Sequence, residues 1–139
     1  MTDLDYKALA GKRGLIMGVA NERSIAWGIA EVLQQHGAEL AFTYQGELME
    51  TRLRPLAEGL GSEIVLPCDV GVDGELENTF EKISKFWGGF DFVIHSLAYS
   101  EKEELTGEYL NLSRENFLKT LEISCFSFTQ VAKLSLPLF

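Results

Sequence analysis

Apolar positions along the chain fall into two alternating kinds of run. Residues 13–19, 39–44, 63–66 and 91–98 are short and rich in Val, Ile, Leu and Phe, as buried β-strands are. The first and last of these are nearly all apolar, as strands covered on both faces must be, so both are expected in the middle of the sheet. Residues 24–36, 47–60, 73–86 and 113–136 instead repeat apolar side chains at helical spacing, with Ile25, Ile29, Val32 and Leu33 as the stripe of the first. Ser24 stands where it would cap that helix, and Gly37 follows its last turn as a stop. Pro55 is expected to shorten or kink the second helix. The order βαβαβαβα with short links predicts an α/β fold, a doubly wound parallel sheet in a single domain over residues 1–139. Residues 99–112 lack periodicity and follow the fourth strand, where an open α/β sheet places its ligand crevice, so they form a candidate substrate loop that contains Ser100.

Charge narrows the partners. Twelve Lys and Arg against 21 Asp and Glu give a formal net charge of −9, which argues against nucleic acid or an anionic membrane surface. No stretch approaches the roughly 20 apolar residues of a membrane span, and the polar, acidic start has no signal-peptide pattern. Both features predict a cytoplasmic protein. Cys68 and Cys125 lie far apart with no C-x-x-C or His/Cys cluster around them, so reduced thiols are expected and a metal site is not.

The chemistry begins where the first strand meets its helix. Gly18 opens a turn that reaches Ser24-Ile25 and Gly28 in the pattern G-x5-S-x3-G. Gly18 lets the backbone leave the strand without a Cβ clash, the amides after Ser24 are free donors for a phosphate, and Gly28 is expected to allow close helix–strand packing. The third strand ends in Cys68-Asp69-Val70. An Asp here serves either to cap the coming turn or to accept from an adenine amino group while the next amide, that of Val70, donates to the ring. After the second strand, where such sheets hold the adenosine ribose with an acid or a 2′-phosphate with an arginine, stands Gln45, followed by Gly46-Glu47. An amide can bond a sugar hydroxyl, whereas Glu47 would repel a phosphate, which favours NADH over NADPH.

At the end of the fourth strand the chain reads His95-Ser96-Leu97-Ala98-Tyr99. Together with the wide glycine turn, the run 37–45, the run 91–95 and Glu122-Ile-Ser-Cys-Phe-Ser-Phe128, this resembles the enoyl-acyl-carrier-protein reductases of the short-chain dehydrogenase/reductase superfamily. Other members of that superfamily carry Asn-Ala-Gly at the fourth strand end and an Asn where this chain has Ile123-Ser124. The resemblance implies a Rossmann-like sheet, here truncated after four βα units. It also implies NAD as cofactor, held by Gly18, Ser24, Ile25, Gln45, Asp69, Val70, Ser96, Leu97 and Ala98, with Ser100 toward the substrate. Small Ser96 and Ala98 would leave room for the cofactor, with Leu97 facing it. His95 lies inside an apolar strand with no carboxylate nearby in sequence, so it reads as a core histidine and not as a base. The stripe Phe117, Leu121, Ser124/Cys125, Phe128 and Val131/Ala132 reads as helix core, although the resemblance implies that this helix also builds a subunit contact.

The family's reaction uses a Tyr-x6-Lys pair to stabilise an enolate. None of Tyr6, Tyr44, Tyr99 and Tyr109 has a lysine four or seven residues on, so no catalytic residue is assigned within the 139 residues. The pair is expected beyond Phe139, and these residues alone are expected to be aggregation-prone and without turnover. The resemblance implies an acyl-carrier-protein-bound enoyl thioester as substrate and a homotetramer as assembly. The competing readings are another short-chain oxidoreductase, such as a 3-ketoacyl thioester reductase with Tyr-x3-Lys, and a non-catalytic nucleotide-binding module.

Overall fold

The structure is a computed structural model and describes residues 7–139; the acidic start, apart from Lys7, lies outside the described residues. Four parallel strands, β1 (Arg13–Met17), β2 (Glu39–Tyr44), β3 (Ile64–Pro67) and β4 (Phe92–His95), form one sheet in the order β3-β2-β1-β4. They are joined by α1 (Ile25–Gln35), α2 (Glu47–Gly59) and α3 (Glu75–Trp87). After β4 come two short 3₁₀ turns and then α4 (Arg114–Leu121), a π-helical turn (Glu122–Phe126) and α5 (Ser127–Ser135). The last three form one continuous helix, because the residues at both junctions keep right-handed helical backbone angles.

Alternation along the strands builds a core on each face of the sheet. Ile16, Leu40, Phe42 and Val65 pack with Ala26, Trp27 and Ala30 of α1 and Leu53 and Ala57 of α2. Leu15, Met17, Ala41 and Ile64 point the other way, toward Leu76, Phe80 and Ile83 of α3 and Val131 of α5. The period of two puts successive side chains into opposite layers, which is why β1 and β2 read as unbroken apolar runs. At the opposite end from the crevice, Asp91 accepts from the Arg13 amide at 2.9 Å and from Lys12 Nζ at 3.0 Å. These bonds hold its carboxyl below the usual carboxylate range and fix the starts of β1 and β4 side by side.

Several expectations are corrected. Among the described residues β4 pairs only with β1, so its expected central place is not seen there. Its apolar composition reports coverage of its two faces by helices, which says nothing about a lateral neighbour. On α1 the buried residues are Ala26, Trp27 and Ala30, while Ile25 and Val32 of the expected stripe are exposed. The longer helix after β4 buries Asn116, Ser127, Val131 and Ser135, and leaves Phe117, Leu121 and Phe128 in solvent. Gly28 is exposed and a Cβ there would meet open space, so it permits no close packing. Pro55 does not shorten α2, which continues to Gly59. Gly37 acts as expected: its φ is +97°, and the Gly37 and Ala38 amides close onto Gln34 and Leu33 carbonyls in a Schellman stop.

Candidate functional site

All four strands point their C-terminal ends at one crevice. A cavity of about 190 Å³ is lined by Gly18, Val19, Ala20, Thr43, Tyr44, Gln45, Met49, Cys68, Ser96, Leu97 and Ala98. A second of about 80 Å³ shares Gln45, Cys68, Leu97 and Ala98 with it and adds Asp69, Val70, Tyr99 and Ile123. Seven of the residues singled out from sequence, Gly18, Gln45, Asp69, Val70, Ser96, Leu97 and Ala98, thus line adjoining space.

The floor of the crevice is set by a close approach. The Ser96 amide donates to the Met17 carbonyl at 3.0 Å, which extends the β1–β4 ladder past the strand ends. Gly18 sits beside this bond with φ +107°, and a Cβ there would overlap the Ser96 carbonyl oxygen. Only glycine combines that backbone angle with that distance.

Ser24 behaves differently from expectation. Its hydroxyl makes no cap bond to α1; instead it accepts from the amides of Ala20 at 2.9 Å and Asn21 at 3.1 Å. The loop is therefore tied back on itself, and the start of α1 has no side-chain cap, which keeps it as a ready anion site. Ser24 on this loop and Ile25 at the start of α1 lie outside the cavity lining, Ile25 being exposed.

Across the crevice Asp69 caps its turn, the first of the two roles expected of it, and also binds a side chain. Oδ1 accepts from the Gly71 amide at 2.8 Å in an Asx turn, while Oδ2 accepts from Gln45 Nε2 at 2.8 Å. The Asp69 amide donates to Glu75 Oε2 at 2.6 Å. Cys68 beside it is buried and its thiol is pushed up to about 11, chiefly by desolvation, so it lines the crevice as a neutral group.

Ser100 does not line the cavities; its Oγ accepts from Asn116 Nδ2 at 3.0 Å. The strap around it is continuous. The Glu101 amide donates to Asn116 Oδ1, and Ser124 Oγ accepts from the Tyr99 amide at 2.9 Å and donates to the Tyr99 carbonyl at 3.2 Å. Residues 99–101 are thus pinned to α4 and the π-turn. The lining residues missed from sequence include Cys68, Tyr99 and Ile123. The first two adjoin assigned residues, whereas Ile123 arrives from the helix after β4, where the resemblance had set Ile123-Ser124 in place of the superfamily's Asn without assigning either a contact.

His95 is half-buried at the end of β4 and bonded through its ring. Its Nε2 lies 2.7 Å from Ser127 Oγ, whose own proton goes to the Ile123 carbonyl, so the neutral ring donates from Nε2. Phe128 packs edge-on against the ring at 5.5 Å. Desolvation lowers the imidazole below its ordinary value of 6.5. The folded state therefore binds fewer protons than the unfolded chain once the pH falls through that value, and stability declines there as the unfolded state takes up the proton. Urea unfolding between about pH 7.5 and pH 5 will show a steeper loss for the native chain than for His95→Gln; parallel curves would refute the coupling. Among the described residues no helix is long and apolar enough to cross a membrane, and no group of three His, Cys, Asp or Glu is placed to hold a metal ion.

A parallel sheet covered on both faces, with its crevice beyond the strand ends and a glycine turn leading into a helix start, defines a Rossmann-like α/β protein. The family model described as enoyl-(acyl carrier protein) reductase matches residues 18–139, and the chain belongs to that family. It is 54% identical over 123 residues to enoyl-[acyl-carrier-protein] reductase [NADH] 2 of Rhizobium meliloti, covering 88% of this chain and 46% of the relative. A crystal structure of the enoyl reductase of Anaplasma phagocytophilum in complex with NAD superposes with a TM-score of 0.90 at 46% identity, over 94% of this chain and 50% of that one. The Bacillus cereus enzyme, crystallised with NADP+, gives a TM-score of 0.90 at 45% identity over 94% and 52%. The chain spans about half the length of the curated relatives it matches.

Proposed function

We propose that this chain forms the cofactor-binding part of an NADH-dependent enoyl-acyl-carrier-protein reductase. The observation that carries the reading is the convergence of Gly18, Gln45, Asp69, Val70, Ser96, Leu97 and Ala98 on one crevice. A dinucleotide fits these residues. The uncapped start of α1 and the Gly18 turn suit its pyrophosphate, Gln45 its adenosine ribose, and Asp69 with the Val70 amide its adenine. Ser96, Leu97 and Ala98 would stand under the nicotinamide half, where their small or apolar side chains exclude water and orient the ring. When bound, the cofactor supplies the hydride for the double bond of a trans-2-enoyl thioester.

The acid that would stabilise the enolate is not among these residues, since no Tyr-x6-Lys pair occurs in them. NADH oxidation with a crotonoyl thioester, on protein of verified mass, tests the reading. Turnover is expected from a product of the full reading frame that carries such a pair, and none from the 139 residues alone. Reduction of an acetoacetyl thioester instead would overturn the enoyl assignment in favour of a ketoreductase.

An acyl-carrier-protein-bound substrate, a cytoplasmic location and a homotetramer complete the proposal. For the tetramer, exposed Phe117 and Leu121, four residues apart on α4, give a second copy an apolar strip to cover. Light scattering on the same preparation reads the assembly, and a monomer would refute it.

A further inference from the structure

Similar structures hold NAD in one case and NADP+ in another, so the choice of dinucleotide falls to side chains near the adenosine ribose. We propose that Asp69 sets this choice indirectly, by fixing which end of the Gln45 amide faces the ribose; the inference rests on the dinucleotide-binding reading above.

Donor and acceptor chemistry decides the orientation of the amide. A carboxylate only accepts hydrogen bonds, so the group that approaches Asp69 Oδ2 at 2.8 Å must be Gln45 Nε2. The Asp69 carboxylate cannot turn away, because its other oxygen is held by the Gly71 amide at 2.8 Å. With one Nε2 proton on Asp69 the amide is held from turning over, and Oε1 lies at the end away from Asp69. That oxygen accepts from a ribose 2′-hydroxyl, and it has no proton to offer a 2′-phosphate, which is itself almost wholly an acceptor. The space around the pair reinforces the selection. It is bordered by Glu47, Glu50, Asp69 and Glu75, and no basic side chain lines it. A free glutamine would be indifferent, since it could turn over to lead with Nε2 toward a phosphate; Asp69 opposes that turn, because it would set Gln45 Oε1 against the Asp69 Oδ2 acceptor. Each carboxylate oxygen keeps a second lone pair, so Asp69 still has capacity for an adenine amino group.

Asp69→Asn inverts the arrangement at nearly constant shape. The introduced amide keeps its oxygen on the Gly71 N–H, which puts its nitrogen where Oδ2 stood. Gln45 must then turn over, offering Oε1 to that nitrogen and Nε2 to the ribose side. Asp69 is a positioning residue in this scheme, so the decisive readout is selectivity and not affinity alone.

NADH and NADPH binding is measured by fluorescence titration on the protein of the full reading frame, in the native form, Asp69→Asn, Gln45→Met and the double variant. Asp69→Asn is expected to lower the NADH-over-NADPH preference about tenfold, in part by tightening NADPH. Gln45→Met, at an exposed position and with Asp69 intact, lowers the preference to a similar degree. In its background Asp69→Asn then changes the ratio little, because the amide it acts through is gone. Equal weakening of both dinucleotides by Asp69→Asn would overturn the positioning role and leave Asp69 as an adenine contact only. An undiminished effect of Asp69→Asn in the Gln45→Met background would overturn it as well, pointing to the charge itself. A native protein that binds neither dinucleotide would sink the underlying reading.

Discussion

Gly18→Ala is expected to abolish dinucleotide binding and to destabilise the fold by about 3 kcal/mol or more. Two independent costs act at this position. The backbone angle of +107° lies where a residue with a Cβ is strained, and the added methyl would overlap the Ser96 carbonyl oxygen. The overlap falls on backbone, so no side chain can rotate away to relieve it. Relief requires the ends of β1 and β4 to part, which breaks the bond from the Ser96 amide to Met17 and opens the floor of the crevice. Urea unfolding gives the stability change, and NADH titration the binding. A variant of native stability would show that the two strand ends are not held together as described.

Ala98→Trp is expected to produce the complementary result, loss of NADH affinity by about 100-fold or more with unfolding stability within about 0.5 kcal/mol of native. Ala98 is exposed, yet it lines both cavities, so its side chain points into the crevice and not into the core. An indole there fills space that the cofactor would occupy and displaces no packed neighbour. NADH titration with a parallel thermal melt separates the two effects. Unimpaired NADH binding by a folded Ala98→Trp protein would move the cofactor away from this crevice. The pair of substitutions thus distinguishes a residue that shapes the backbone of the site from one that leaves its volume empty.

The strands were legible for a local reason. β2 runs over Glu39–Tyr44 as its apolar run predicts, and β1 departs only at its end, where the chain turns at Gly18. The helix ends were legible where backbone conformation is imposed by one residue type, as at Gly37. The buried faces of helices were not. Ile25 and Val32 match a helical stripe as well as Ala26 and Ala30 do, and α1 turns its small residues inward because they let it approach β1 and β2 beside Trp27 and Phe42. The same holds after β4, where Ser127 and Ser135 are buried by donating to carbonyls one turn back while phenylalanines face out.

Site chemistry divided along the same line. Gly18, Asp69 and the 96–98 segment could be assigned from sequence because each follows a strand end, and a parallel sheet brings all its C-terminal strand ends to one edge. Chain order and period therefore determined the fold class, the crevice and most of its lining. Tertiary structure alone decided which hydrogen bond each of those residues makes. Ser24 turns back to the loop instead of capping α1, Ser100 is held by Asn116, Ile123 enters the crevice from the π-turn, and Gln45 meets Asp69 across 24 residues. Such bonds depend on distances of about 3 Å between segments remote in sequence, and no periodicity or propensity along the chain encodes a distance of that kind.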